Sequence, residues 1–167
     1  MTSSAYLRLL RRAAVGVALI AVLLVPAAPA AAASNHFEQA VLNDINSVRA
    51  SYGLPAVRGD GRMAGGARSH SQSMARHNFF DHPSVNGASW DRRVRRSSGS
   101  GTVGEVLGYI QSSGRGEARA IVRAWMHSGE HRAILLSRSF DRAGVGRAWA
   151  RWNGHRTAIY TVDFAAG

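Results

Sequence analysis

The feature that most restricts how this chain can fold is its complete lack of cysteine. Without cysteine there are no disulfide bonds, no CxxC redox motif, no thiolate zinc site, no cysteine nucleophile and no cysteine for lipid attachment. The folded chain must therefore be stabilised by an apolar core. With 46% hydrophobic residues among 167, it has the material for one such domain.

The first 33 residues have the composition of a secretory signal peptide. Three arginines precede a 13-residue apolar run from Ala13 to Val25, and small residues follow it. The flanking residues are Arg8, Arg11 and Arg12 before the run and Pro26, Pro29 and the alanines up to Ala33 after it. A membrane span needs roughly 20 residues. We therefore predict cleavage near Ala33, secretion, and a mature domain of residues 34–167 with no transmembrane anchor. A retained N-terminal anchor is the alternative.

Two amphipathic helices are predicted in the first half of the mature chain. Apolar residues at helical spacing over residues 37–48 predict the first, and residues 60–77 have a similar pattern. The segment 81–104 is polar and rich in serine, glycine and arginine. It is predicted to be surface loop with one short helix near residues 89–96.

The second half predicts a strand, two short helices and a β-hairpin. The strand covers residues 103–110, the helices cover 117–126 and 130–136, and the hairpin strands cover 143–152 and 155–164. Asn153-Gly154 stands between the last two strands and suits a type I′ turn. One domain with mixed helices and strands is therefore expected.

The chain is strongly basic, and all 21 of its basic residues are arginine, against 10 acidic residues. Codon bias accounts for part of such an excess, so the charge alone says little about partners. The densest run comprises Arg92, Arg93, Arg95 and Arg96. No aromatic residues are interleaved for base stacking, so no specific nucleic-acid binding is predicted. A solvated helix face and a surface for anionic lipid or wall polymer are the two interpretations.

Common catalytic motifs are missing. Residues 99–104 match G-x-G-x-x-G only formally, because they precede the predicted strand instead of following one, and we interpret them as loop. The sequence has no G-x-S-x-G, H-E-x-x-H or P-loop motif. No organic cofactor is therefore indicated.

The seven histidines are more informative, because imidazole binds metals and transfers protons near neutral pH. His36 and His155 are predicted to be solvated. His70 and His77 lie two helical turns apart and are predicted to share a buried stripe with Met74.

Three other residues are candidates for one site. His127 and His131 are four residues apart, a spacing that places two metal ligands on one face of a helix. Ser128-Gly129 between them, however, indicates a helix break. His82, Glu105 and His131 remain, although a lone histidine or glutamate in such places is more often structural.

Six short segments occur in a specific order along nearly the whole mature chain. They are Ser69-His70-Ser71-Gln72-Ser73-Met74-Ala75, Phe80-Asp81-His82, Gly104-Glu105, residues 125–135, Phe140 and Gly144-Val145-Gly146. Together they resemble the bacterial branch of the CAP superfamily. These are the SCP-like extracellular proteins, which are related to cysteine-rich secretory and plant pathogenesis-related proteins.

The resemblance implies an α/β/α sandwich, in which a small and mostly antiparallel sheet lies between helical layers. It also implies a cleft with two histidines and commonly two glutamates. In this sequence the histidines are His82 and His131 and the first glutamate is Glu105, while Ser128 stands at the second glutamate position. Glu130 is the candidate substitute, although an acid in a first helical turn is also expected from the helix dipole.

The expected function is that of a secreted, monomeric binding or effector module for an apolar lipid or a cell-envelope ligand. His82, His131 and Glu105 are the candidate ligands of a divalent metal such as zinc. The first alternative is a metal-dependent hydrolase with Glu105 or Glu130 as general base. The second is a binder of anionic polymers through the arginine-rich surface. Val106 stands where the family usually has asparagine, which favours an apolar cleft wall.

Overall fold

The structure is a computed structural model that describes residues 30–111, 114, 116–152 and 154–167. The predicted signal peptide lies outside these ranges except for its last four positions, which belong to the first helix. Its cleavage remains a prediction. Within the described ranges, no helix combines the length and apolar character needed to cross a membrane.

The described chain forms five helices and four strands in one sheet. In chain order they are α1 (Ala30–Ser51), β1 (Arg58–Gly59), α2 (Gly61–His77), α3 (Trp90–Ser98), β2 (Val103–Ile110), α4 (Glu117–His127), α5 (Gly129–Leu135), β3 (Arg142–Trp152) and β4 (His155–Ala165). The strand order is β1-β3-β4-β2. β1 is parallel to β3, and the other pairs are antiparallel.

The alternation of side chains along β4 separates the two faces of the sheet. Tyr160, Val162 and Phe164 lie in the apolar cluster formed with α1 and α4. Ile159 and Ala165 instead contact side chains of α2 and α3. Helices therefore cover both faces, and the predicted α/β/α sandwich is confirmed.

Two glycines let α2 lie directly against β3. A Cβ atom on Gly146 would be 2.0 Å from the backbone nitrogen of Arg68, and one on Gly144 would be 2.2 Å from that of Ala64. Ser71 fastens the contact, since its Oγ donates to the carbonyl oxygen of Gly146 at 3.2 Å. This contact fixes the position of α2, and with it the loop that follows.

A buried arginine fixes the end of α5 in a similar way. Arg49, on α1, is fully buried, and its guanidinium donates to the carbonyl oxygens of Leu135 at 2.8 Å and Ser137 at 2.9 Å. Burial lowers the pKa of Arg49. The ring of carbonyl acceptors, completed by Pro55 and Phe140, satisfies a charge that has no carboxylate partner among the described residues.

The predicted element order is confirmed, with small shifts at the ends. α2 begins after Asp60, whose side chain caps the helix, and β2 has the predicted bounds. The hairpin strands stay in register up to the pair Trp152 and His155, and Gly154 has the positive φ of +79° that the predicted turn requires. Asn153 lies outside the described residues. The two-residue β1 was not predicted.

Candidate functional site

Glu105 is the centre of a charged cluster on β2, the edge strand of the sheet. It faces α2 and α3, and its side chain has no solvent exposure. One carboxylate oxygen accepts from Nδ1 of His82 at 2.8 Å, and the other accepts from the guanidinium of Arg93. Both oxygens of the carboxylate are therefore already engaged by cationic or ionisable donors.

Arg93 connects α3 to the loop that carries His82. Besides Glu105, it donates to the carbonyl oxygen of His82 at 3.2 Å and to Oγ of Ser84 at 3.1 Å. Its side chain is only 16% exposed. His82 is thus held at two points: Arg93 binds its backbone carbonyl oxygen, and Glu105 binds its ring.

The cluster shifts the pKa values of Glu105 and His82 in opposite directions. Burial opposes ionisation of Glu105, but the hydrogen bond from His82 and the charge of Arg93 outweigh it and lower its pKa. The hydrogen bond to Glu105 raises the pKa of His82, against a smaller effect of burial. Glu105 is therefore ionised, and the pKa of His82 lies above its ordinary value.

His131 lies on α5, half-buried and close enough to His82 to be affected by its charge. Burial, and then the positive charge of His82, lower the pKa of His131, while Glu130 acts in the opposite sense. Glu130 itself is exposed in the first turn of α5. The structure thus brings His82 and Glu105 into direct contact and places His131 nearby.

Within the described part of the chain, no group of three or more histidine, aspartate or glutamate side chains is arranged to hold a metal ion. The three-ligand set of His82, His131 and Glu105 therefore stays a prediction.

His70, on α2, lies beside this cluster. It is buried, and its Nε2 donates to the carbonyl oxygen of Asp81 at 3.0 Å. Burial, and then the charge of Arg93, lower its pKa, so the ring is neutral near pH 7. Its hydrogen bond holds the start of the loop that carries His82.

Asp163 is a second buried carboxyl group beside Glu105. The two residues are directly opposite each other on β4 and β2. Neither oxygen of Asp163 receives a hydrogen bond from the described N–H and O–H groups. Burial and the charge of Glu105 raise its pKa well above the ordinary value. The protonated form, which can donate to Glu105, is therefore favoured at neutral pH.

Several sequence predictions about individual residues need correction. His77 is exposed, so only His70 and Met74 form the buried stripe. Val106 packs into the core on the α1 and α4 side, opposite Glu105, so it is no cleft wall. The arginine run is no uniform solvated face either, because Arg93 turns inward. The solvated positions of His36 and His155 are confirmed.

Sequence reasoning missed Arg93 and Asp163, although each had a signal. Arg93 lies three residues after Trp90 and one before Val94, on the face of α3 that the apolar residues mark as buried. Asp163 lies two residues after Thr161, so the two side chains are on the same face of β4, and both faces of this strand are covered. A charge at an inward position of such a strand indicates a buried polar pair.

Helices on both faces of a small sheet, with a histidine, glutamate and arginine cluster at its edge, define a class of α/β/α domain. Residues 42–164 match the model of CAP, the cysteine-rich secretory protein family. The chain belongs to this family.

It is similar to the uncharacterized protein YkwD of Bacillus subtilis, with 32% identity over 111 residues. That alignment covers 66% of this chain and 42% of YkwD, so the chain spans less than half of this relative's length.

Two solved structures have a similar fold. An extracellular protein with an SCP domain from Bacillus anthracis has a TM-score of 0.65 at 26% identity, over 80% of this chain and 41% of the other. An outer surface protein from Borrelia burgdorferi has a TM-score of 0.65 at 18% identity, over 80% of this chain and 94% of the other. The second likeness concerns the fold alone.

Proposed function

We propose that the chain is an extracellular binding module whose cleft holds a divalent cation, such as zinc, between His82 and His131. The observation that supports this is the state of His82. When the ring is neutral and Nδ1 donates to Glu105, Nε2 carries the lone pair, and Nε2 has no hydrogen-bond partner among the described residues. Metal sites commonly use a carboxylate in this way to orient the ligating histidine. Extracellular location is supported by the predicted signal peptide and by the extracellular SCP-domain protein of Bacillus anthracis.

In this proposal Glu105 orients His82 and does not bind the cation. Its two oxygens already accept from His82 and Arg93. His131 contributes the second imidazole, and its lowered pKa keeps it neutral and able to bind. A cation held by two imidazoles has open positions for oxygen atoms of water or of a ligand.

A hydrolase is the less favoured reading of the same residues. A general base works best when its pKa lies near the working pH. The pKa of Glu105 is lowered, although burial alone would raise it, and its oxygens are occupied. Glu130 would have to act as the base, and it is exposed at the start of α5 with no hydrogen bond that orients it in the described structure.

A cavity of about 440 Å³ between α1 and α4 favours a second ligand, an amphiphile such as a fatty acid. Val48, Val122 and Met126 form its apolar lining, and its charged residues are Arg119, Arg123 and Asp44. We expect mass spectrometry of extracts from the purified protein to find such a lipid in the wild type and little in Met126→Glu. Equal amounts in both would contradict this site.

A zinc titration tests the metal site. A ligand at 100 times its dissociation constant stabilises a fold by about 2.7 kcal/mol, so zinc should raise the melting temperature at pH 7.5. The shift should be smaller at pH 5, because the raised pKa of His82 means that its ring is protonated there and cannot bind. Differential scanning calorimetry measures both shifts.

Matched variants identify the ligands. His82→Ala and His131→Ala should abolish most of the zinc shift, whereas the exposed His36→Ala and His155→Ala should preserve it. Glu105→Gln should weaken zinc binding about 10- to 100-fold without abolishing it, as expected for an orienting carboxylate. A well-folded wild type without a zinc response, or the same response in all four histidine variants, would exclude the site.

A further inference from the structure

A second concave site lies between α2, α3 and the turn that joins them. It has a volume of about 350 Å³, and four arginines contribute to its lining: Arg76 from α2 and Arg92, Arg93 and Arg96 from α3. We call it the arginine pocket. The rest of its lining consists of serine, asparagine, histidine and small apolar residues, with no aspartate or glutamate.

The positive charge of the arginine pocket is only partly neutralised. Arg93 is paired with Glu105. Arg76, Arg92 and Arg96 form no ion pair with a carboxylate of the described residues, although all three line the same cavity. Cationic side chains around one concave surface with no acid among them create a positive potential that concentrates anions.

We propose that the arginine pocket binds a phosphate group, carried by a soluble phosphate ester or by a lipid headgroup. The planar guanidinium fork matches two oxygens of a phosphate at once, and such charge-assisted pairs are stronger than neutral hydrogen bonds. Ser84 and Asn86, which also line the pocket, supply further hydrogen-bonding groups. The volume is near the lower end of the range for small-molecule sites, which suits one phosphorylated group.

The arginine pocket is separate from the proposed cation site. His82 and His131 do not line it. Arg93, His70 and Ser84 line it and also take part in the hydrogen bonds that surround Glu105 and the loop of His82. The arginine run that the sequence marks as a unit is also divided. Arg95 points elsewhere, donating to the carbonyl oxygen of Gly101 and pairing with Asp91 at 3.4 Å. The pocket, and not the net charge of α3, is therefore the binding element.

Arg95 provides a matched control, since it lies on the same helix and carries the same charge. We expect isothermal titration calorimetry to show saturable binding of pyrophosphate to the wild type. Arg92→Gln and Arg96→Gln should each weaken it about tenfold, the scale of a hydrogen bond to a charged group. Arg95→Gln should change it less than about twofold. All three residues are exposed, so the variants are expected to fold.

Vesicles of phosphatidylcholine with and without phosphatidylglycerol separate the two sources of phosphate. Binding to the anionic vesicles with the same order of variants, and competition by pyrophosphate, would identify a lipid headgroup. Binding of pyrophosphate alone would identify a soluble ester. Equal weakening by all three substitutions, or no saturable binding to either probe, would overturn the proposal. An intact zinc response in Arg92→Gln would show that zinc binding does not depend on the arginine pocket, so that each proposal can be tested without the other.

Discussion

Two buried glutamate and arginine pairs lie on opposite faces of the sheet, and they differ in what surrounds them. Glu105 pairs with Arg93 on the side of the sheet that α2 and α3 cover. Glu117 pairs with Arg147 on the side that α1 and α4 cover. Both glutamate side chains have no solvent exposure, and the arginine side chains are 16% and 4% exposed, respectively. By burial and charge alone the two pairs are nearly equivalent.

The pair on the α1 and α4 side is closed off by aromatic rings. The guanidinium carbon of Arg147 lies 4.1 Å from the ring centre of Phe37 and 4.0 Å from that of Trp149. Tyr160 donates its hydroxyl to the same oxygen of Glu117 that Arg147 contacts at 2.8 Å. Such a pair fastens α4 to β3 and β4 within the core.

The pair at the sheet edge instead opens toward solvent through His82, whose side chain is 41% exposed. Arg93 also lines the arginine pocket, so this pair touches both proposed sites. The two pairs therefore differ in whether a side chain bound to them is accessible to a ligand. Buried ion pairs by themselves are weak evidence for stability.

Removing the arginine of each pair should separate the two regions most strongly. Arg147→Leu leaves Glu117 buried and uncompensated, and breaking a buried pair in this way costs about 3–5 kcal/mol. Arg93→Leu should cost less, roughly 1–3 kcal/mol, because His82 can protonate and water can reach the cleft. Urea unfolding at pH 7 measures both losses of free energy.

Equal losses for the two variants would contradict the difference in access between the two regions. Circular dichroism of each folded variant is the control, since it confirms that the comparison concerns the same fold. Arg58→Leu, at an exposed ion pair with Asp141, should change stability by less than about 1 kcal/mol.

Most of the fold could be predicted because local patterns determine it. The bounds of β2 follow from a short apolar run, and the hairpin follows from the turn dipeptide that ends in Gly154. The approach of α2 to β3 could not be derived from local propensity, since glycine lowers helix and strand propensity alike. Only the packed structure shows that Gly144 and Gly146 make room for the backbone of α2.

The candidate site was less predictable, because its partners come from distant parts of the chain. Sequence identified His82, Glu105 and His131, and the structure adds the contacts that define their roles. Both interpretations of the arginine run place its side chains at the surface, because a charge run is usually exposed, and neither predicts that Arg93 turns inward. Asp163 was missed because its inward strand position signals a buried polar group without naming the partner, and only the pairing of β4 with β2 places Glu105 opposite it.

Asp163 lies opposite Glu105, and in its protonated form it can donate to that carboxylate, as the hydroxyl of Tyr160 donates to Glu117. Burial and the charge of Glu105 raise the pKa of Asp163, so its contribution to stability is full below the unfolded pKa near 3.9 and decreases as pH rises toward the folded pKa. Asp163→Asn keeps a donor and cannot ionise. At pH 7 it should therefore be more stable than the wild type by about 1 kcal/mol, the scale of one hydrogen bond.

The advantage of Asp163→Asn should shrink below about pH 4, where the aspartate is protonated in the unfolded chain as well. Tyr160→Phe is the matched variant on the other face. It removes the donor to Glu117 and should destabilise by about 1–3 kcal/mol. That loss should be the same at pH 7 and pH 4, because burial raises the pKa of Tyr160 and its hydroxyl is protonated throughout. Urea unfolding at the two pH values measures all four differences. A loss of stability in Asp163→Asn at pH 7 would show that Asp163 is ionised in the folded chain, and the parallel with Tyr160 would then be wrong.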